Sequence, residues 1–228
     1  MTAGAAARRE FSRRLRRWYV RNARDLPWRR TRDPYEVLVS ELMLQQTQVS
    51  RVVTYYGEFL ERFPTLHDVA RATPKRVMEA WDGLGYYARA RNLHRLAREV
   101  TDRGRSPHAR LPADVTELRE LPGIGAYTAG AVSSFAYERR AALVDTNVAR
   151  VLFRVFVGRG DPKSYAMKRH LWTISEALVP ARDVFDFNQG LMDFGAMICV
   201  ARNPKCLMCP MSNDCRATAG PAQPQRRP

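Results

Sequence analysis

The chain has 228 residues, 45% of them apolar, which is enough for one large domain or two small lobes with a packed core. Its 38 lysines and arginines outweigh 23 aspartates and glutamates, and the formal charge of +15 points to a polyanionic partner, nucleic acid first. No run approaches the ~20 apolar residues of a membrane-spanning helix, and the N-terminal arginines precede no apolar signal core. An integral or signal-directed protein is set aside for a cytoplasmic one, nucleoid-associated in a bacterium or archaeon.

Residues 1–8 are small and read as disordered, whereas Phe11, Leu15, Trp18 and Tyr19 fall at helical spacing and predict an amphipathic helix rich in arginine. An irregular basic stretch from Arg24 to Arg30 follows. Asp33-Pro34 is an N-cap with a first-turn proline, so a helix must start there. Its apolar stripe, Val37, Leu38 and Leu42, is interrupted by Glu41 and Gln45, so both polar side chains point with the core-facing side. Among apolar neighbours the charged form of Glu41 is disfavoured and its pKa rises, which suits a general acid near neutral pH; the plainer reading is a glutamate at the helix edge.

Thr47 caps a further helix with Val49, Val52, Val53, Tyr56, Leu60 and Phe63 at apolar positions, and Thr65 and Thr73-Pro74 start two more, the second burying Val77 and Trp81. Gly83-Leu84-Gly85-Tyr86-Tyr87 is a tight turn with exposed aromatics, ahead of a helix carrying Arg89, Arg91, Arg95 and Arg98. Arginines that hold phosphates beside rings that stack on bases suit a nucleic-acid face; tyrosines at a core edge and a solvated basic helix are the alternative. Residues 103–113 read as a loop.

Leu118-Arg119-Glu120-Leu121-Pro122-Gly123-Ile124-Gly125-Ala126-Tyr127 reads as a helix, a glycine-closed hairpin and a new helix. Amides around Gly123, Ile124 and Gly125, at the start of that second helix, can cradle a phosphate, unless the segment is an ordinary helix-helix turn. Asp145 precedes Thr146-Asn147 at another helix start, where the dipole keeps it ionised; a plain N-cap is the usual role of such a residue. The remaining apolar sets, Leu171, Ile174 and Leu178, then Phe187, Leu191, Phe194 and Ile198, are helical. With no convincing strand, repeat or heptad run, the fold class is all-α.

All four cysteines lie together, Cys199-x6-Cys206-x2-Cys209-x5-Cys215, which excludes a dispersed disulfide framework and implies one shared site. Four thiolates can hold zinc or an iron-sulfur cluster. The loop lengths resemble the iron-sulfur loop of the endonuclease III superfamily, which favours a [4Fe-4S] cluster.

The hairpin, the aspartate segment Val144-Asp145-Thr146-Asn147-Val148 and the cysteine loop together resemble the helix-hairpin-helix-GPD DNA glycosylases across nearly the whole chain, although no proline lies beside Asp145. Within that family, the segments from Ser40 to Gln48, from Gly83 to His94 and from Phe187 to Cys199 look like the MutY-type adenine glycosylases. The resemblance implies an all-α, two-lobed fold: a six-helix barrel over 28–137 carrying the hairpin, a cluster-bearing lobe of 1–27 with 138–228, and a disordered tail over 217–228. It implies double-stranded DNA with a mismatched or damaged base as partner, and a monomer. The target nucleotide would be extruded. Gln46 and Tyr86 look like the residues that wedge into the gap, and Arg24, Trp28, Leu44, Gln45 and Gln189 resemble the pocket around an extruded adenine.

Breaking an N-glycosidic bond leaves an electron-poor sugar, so the reaction needs an acid for the base and an anion near the sugar. In the family reading, Glu41 protonates adenine, Asp145 stabilises the sugar cation, Asn147 orients Asp145, and Tyr127 assists near the sugar. The cluster would organise the basic loop from Lys205 to Arg216 against phosphate. The endonuclease III type carries a lysine at the position of Tyr127, whose amine attacks the sugar and permits strand cleavage. Tyrosine there predicts a monofunctional glycosylase that leaves an abasic site. Adenine glycosylases of this type continue into a domain that reads 8-oxoguanine, and this chain stops soon after Cys215, so a glycosylase removing thymine or uracil opposite guanine stands as the alternative. A catalytically idle iron-sulfur module that only binds DNA is the other.

Overall fold

A computed structural model describes residues 4–102 and 110–218. Of the loop expected over 103–113, residues 103–109 lie outside them, as do residues 1–3 of the disordered stretch expected over 1–8 and residues 219–228 of the tail expected over 217–228. Every regular element among the described residues is helical, and none is long and apolar enough to cross a membrane. The chain divides into two units, Asp25–Arg139 and the stretch up to Arg24 joined by that from Arg140 onward.

In the unit Asp25–Arg139, Pro27–Arg29 is a short 3-10 turn, followed by α2 (Pro34–Leu44), α3 (Val49–Arg62), α4 (Leu66–Arg71), α5 (Pro74–Glu79), α6 (Ala88–Val100), α7 (Val115–Glu120) and α8 (Ala126–Phe135). Asp33 starts α2 as expected: its carboxylate accepts from the amides of Tyr35 and Glu36 at 2.8 and 3.1 Å, with Pro34 in the first turn. The sequence reading gave α2 one apolar stripe. In the structure it is buried from Val37 to Met43 on all sides and packs against α3, α6 and α8. A helix that is apolar around its circumference belongs in the middle of a unit rather than on its surface. The core around it includes Phe59, Trp81, Leu93, Leu118 and Phe135.

Thr65 and Asp68 form a reciprocal capping box ahead of α4, and Thr73 caps α5. Gln48, not Thr47, is the N-cap of α3, and Val53 faces solvent while Phe59 takes the core position. Gly123 joins α7 to α8 with φ 79°, and a Cβ there would stand 2.6 Å from Cβ of Asn92, so the hairpin rests directly on α6.

The other unit contains α1 (Ala5–Asn22), α9 (Thr146–Leu152), a π-helical turn at Phe153–Val157, α10 (Tyr165–Leu178), α11 (Val184–Met197) and two 3-10 turns, Cys206–Met208 and Ser212–Asp214. α1 begins at Ala5, inside the stretch expected to be disordered, and buries Phe11, Leu15 and Tyr19 as it packs on α10 and α11. The π-helical turn, which no periodicity announced, continues α9 and ends at Gly158 in the left-handed region.

Candidate active-site residues and cysteine centre

Glu41 is 2% exposed in the middle of α2, which removes the helix-edge reading. Leu44, the last residue of α2, and Gln45, its C-cap, are half-buried. Gln45 has therefore left the helix and is not part of an α2 stripe; its Nε2 donates to Oγ1 of Thr128 on α8 at 3.4 Å. Trp28 is buried and packs edge-on against Tyr56 with ring centroids 5.6 Å apart.

Gln46 and Tyr86 both take left-handed backbone, φ 56° and 48°, and both line a groove of about 490 Å³ with Gln45, Tyr87, Arg89 and Arg91. Non-glycine residues hold that conformation at a cost and are concentrated at functional sites. Tyr86 is well exposed. Arg89, expected among the phosphate-binding arginines, is instead 6% exposed, and its donors are spent on the protein: carbonyls of Leu42, Met43 and Gln45, carbonyls of Leu84 and Gly85, and the hydroxyl of Thr47. Arg91, Arg95 and Arg98 remain exposed.

At the hairpin, Gly123 and Gly125 are exposed and Ile124 is buried. The Ile124 amide donates to the carbonyl of Leu121 at 3.2 Å, so the expected three-amide cradle reduces to the two glycines. Gly125 has an ordinary φ of −88° as N-cap of α8, and a Cβ there would meet nothing; its small size leaves the approach to its amide open. Tyr127 is half-buried in the first turn of α8.

In the other unit, Asp145 is the N-cap of α9. Its carboxylate accepts from the amide of Val148 at 2.6 Å and from Nδ2 of Asn147 at 3.2 Å. The dipole was expected to keep it ionised. Burial instead pushes its carboxyl above the usual aspartate value, outweighing the Val148 and Asn147 donors and the charge of Arg150. A helix of seven residues supplies little field against that desolvation.

Arg150 was missed by the sequence reading. Its guanidinium donates to Oδ1 of Asn147 at 2.7 Å, to the carbonyl of Gly195 at 2.7 Å and, through Nε, to the carbonyl of Cys199 at 2.7 Å. Gly195 must be glycine here, since a Cβ would lie 2.8 Å from Cβ of Asn147. The spacing of Asn147 and Arg150, three apart on one short helix, was the available signal. Asp193 was missed too: it is fully buried on α11 and binds Arg24, with Nε to Oδ1 at 2.7 Å. Gln189, one turn earlier on α11, is 3% exposed. An aspartate four residues after a candidate glutamine, between Leu191 and Phe194, could have been noticed.

None of the four cysteines forms a disulfide. Arg154, in the π-helical turn, points a guanidinium N–H at Sγ of Cys199 at 3.6 Å and donates to the carbonyls of Val200 and Ala201, while its own carbonyl accepts from the thiol of Cys215 at 3.3 Å and the amide of Ala217 at 2.9 Å. The amide of Met211 donates to Sγ of Cys209 at 3.4 Å. Burial pushes the Cys209 thiol up, and Cys199, Cys215 and Cys206 raise it further, so those three lie near Cys209. Among the described residues no three His, Cys, Asp or Glu side chains converge on a point suited to a single metal ion.

The sequence profile of the HhH-GPD superfamily base excision DNA repair protein matches residues 39–177, and that of the iron-sulfur binding domain of endonuclease III matches residues 199–215. The chain is 42% identical to an adenine DNA glycosylase of Rattus norvegicus over 91% of its own length and 41% of that protein's. Against an adenine DNA glycosylase of Mycolicibacterium smegmatis the identity is 44%, over 87% of this chain and 66% of the other. It thus spans about two-fifths of the rat relative and about two-thirds of the mycobacterial one. A solved structure of a thermostable thymine-DNA glycosylase superposes with a TM-score of 0.84 at 34% identity, covering 93% of this chain and 96% of that one.

Proposed function

Since the chain belongs to the HhH-GPD superfamily of base excision DNA repair proteins, with an iron-sulfur binding domain at residues 199–215, we propose that it is a monofunctional DNA glycosylase acting on mispaired adenine. It hydrolyses the N-glycosidic bond of an adenine opposite guanine or 8-oxoguanine, extruded from double-stranded DNA, and leaves an abasic site. The observation that carries this reading is the burial of Glu41 at the centre of a helix buried on every side, where a carboxyl group is costly to fold and a transferable proton is useful.

In this reading Glu41 donates a proton to the leaving adenine, the C1′–N9 bond breaks with its electron pair going to the base, and the Asp145 carboxylate faces the positive charge on the sugar until water supplies the new C1′–O bond and gives up a proton, which restores the acid form of Glu41. Asn147 and Val148 orient Asp145. In the same reading Trp28, Leu44 and Gln45 of one unit and Arg24 and Gln189 of the other are the residues assigned to the extruded base, Gln46 and Tyr86 fill the gap it leaves, and the amides of Gly123 and Gly125 hold a phosphate. Tyr127, in place of a lysine, provides no amine for a Schiff base, so borohydride should trap little protein on DNA.

Cys199, Cys206, Cys209 and Cys215 would hold a [4Fe-4S] cluster. The fit rests on the donor set: four cysteines with no disulfide among them, Cys199, Cys215 and Cys206 near enough to Cys209 to add to the cost of its ionisation, and Arg154 against Cys199. The positive iron centres would relieve that repulsion and brace the loop; hydrolysis draws on no electron from them.

The ionised form of Asp145 is the useful one, and burial raises its pKa, so the acidic limb of the rate profile should lie above the ~3.9 of an ordinary aspartate. Asn147→Ala removes a donor that favours the anion. The limb should then move to still higher pH, and through the window between the two limbs the variant should slow relative to the parent, by a factor that levels off below the parent's limb. Single-turnover excision measured across pH checks this, and an unmoved limb would remove Asn147 from that role.

A second reading, removal of thymine or uracil opposite guanine, is favoured by the end-to-end match to the thymine-DNA glycosylase. Duplexes carrying A:8-oxoG, A:G, T:G and U:G, treated with alkali after incubation, separate the two. Breaks confined to T:G and U:G would reverse the choice of base, and blank lanes throughout would leave a DNA-binding module without turnover.

A further inference from the structure

One guanidinium serves the backbone on both sides of the groove bordered by Gln46 and Tyr86. The carbonyls of Leu42 and Met43, each 2.8 Å from Nη1 of Arg89, belong to the last turn of α2, where no intrahelical donor remains. The carbonyl of Gln45, bonded to the same nitrogen, is that of the peptide entering Gln46. From the other nitrogen, Nη2, the bonds run to the carbonyls of Leu84 at 3.1 Å and Gly85 at 3.0 Å, the latter entering Tyr86. Arg89 thus grips the residue before each left-handed position. The guanidinium carbon also lies 5.6 Å from the ring centroid of Trp81 and 5.3 Å from that of Tyr86, which fixes its plane.

Every one of these acceptors is neutral, so the buried cation is held by carbonyl dipoles at a helix C-terminus rather than by a carboxylate. Backbone in the left-handed region persists for side chains such as these only where the surroundings over-determine it. The planar fork of arginine, with five N–H groups, can meet both sets of carbonyls at once; the three rotatable donors of a lysine cannot.

We propose that Arg89 is a positioning residue that joins Gln46 and Tyr86 into one preassembled wedge, so that the two enter the duplex together. This rests on the reading of those side chains as the residues that fill the space left by an extruded base. With both strained turns already fixed, insertion spends little on ordering the protein, and more of the binding energy goes into unstacking the base. Arg89 itself meets no DNA, because its donors are occupied.

The test uses the full chain and a duplex with 2-aminopurine opposite guanine at the target position. The parent should give a fluorescence rise on saturation. Arg89→Lys should keep its helical circular dichroism and its affinity for a fully paired duplex within about twofold, with an unchanged salt slope, while the rise falls at least about fivefold. A merely structural defect would weaken both measurements, and an Arg89→Lys rise equal to the parent's would overturn the proposal. A parent that leaves 2-aminopurine stacked would instead sink the reading of the groove as a wedge. If Arg89→Lys does not fold, Gln46→Ala, Tyr86→Ala and the double variant decide: in a single unit the double loses no more than the larger single loss, and losses that multiply would show two independent wedges and end the proposal.

Discussion

In the proposed reaction Glu41→Gln should bind duplex DNA like the parent and release the target base about 10²–10⁴ times more slowly in a single turnover, the range for a positioned proton donor. That corresponds to about 2.7–5.5 kcal/mol of transition-state stabilisation. The amide matches the carboxyl group in shape and fills the same space in α2, so packing is kept and only the transferable proton is lost. Stability separates this from a structural role. A carboxyl group 2% exposed is expensive to fold, so its replacement by a neutral amide should leave the melting temperature unchanged or raise it. Gel-shift affinity, thermal melting and alkali-revealed excision on one preparation give all three readings. A variant with full rate would strip Glu41 of its part, and one that melts far below the parent would mark the carboxyl group as scaffolding.

What the sequence made legible were features set by neighbours along the chain. Asp33-Pro34, Thr65 and Thr73-Pro74 start helices through bonds spanning two or three residues, and the structure has each cap in place. The spacing of Cys199, Cys206, Cys209 and Cys215 is local in the same sense, and it matches an iron-sulfur domain over the same residues. Arg89 was misread because arginine usually signals surface, although its position four before Leu93 puts it on the buried face of α6. What it grips, the ends of α2 and of the glycine turn, is assembled only when distant segments fold. Asp145 shows a different limit. Its place at a helix start was readable, but the sign of its pKa shift depends on whether desolvation or donors prevail, and that balance exists only in three dimensions. Gln45 does point inward, to Thr128 on α8, but from the turn rather than from an α2 stripe, because α2 ends one residue earlier.

Arg150→Met should be the most damaging change outside the carboxylates, lowering both stability and excision. Its guanidinium joins Asn147, Gly195 and Cys199, and a hydrogen bond from a charged donor is worth ~1.5–3 kcal/mol, so a loss of about 2–4 kcal/mol is expected once water replaces part of the set. Excision should fall about 10–100-fold, as it does when a partner that orients a reacting group is removed. Two effects add at Asp145. The Asn147 amide loses the contact that fixes its Oδ1, which frees it to turn away from the carboxylate. The positive charge that opposes the burial shift also disappears, so the pKa rises further and the acidic limb moves up. Arg150→Lys keeps the charge but not the fork, and should recover the position of the limb more fully than the rate. On the other side, the Cys199 carbonyl loses its donor, so iron retained per chain after purification should drop together with the melting temperature. An Arg150→Met protein with parental iron content, rate and pH profile would show that the chain of bonds from Asp145 through Asn147 to the cysteine loop carries no strain from one end to the other.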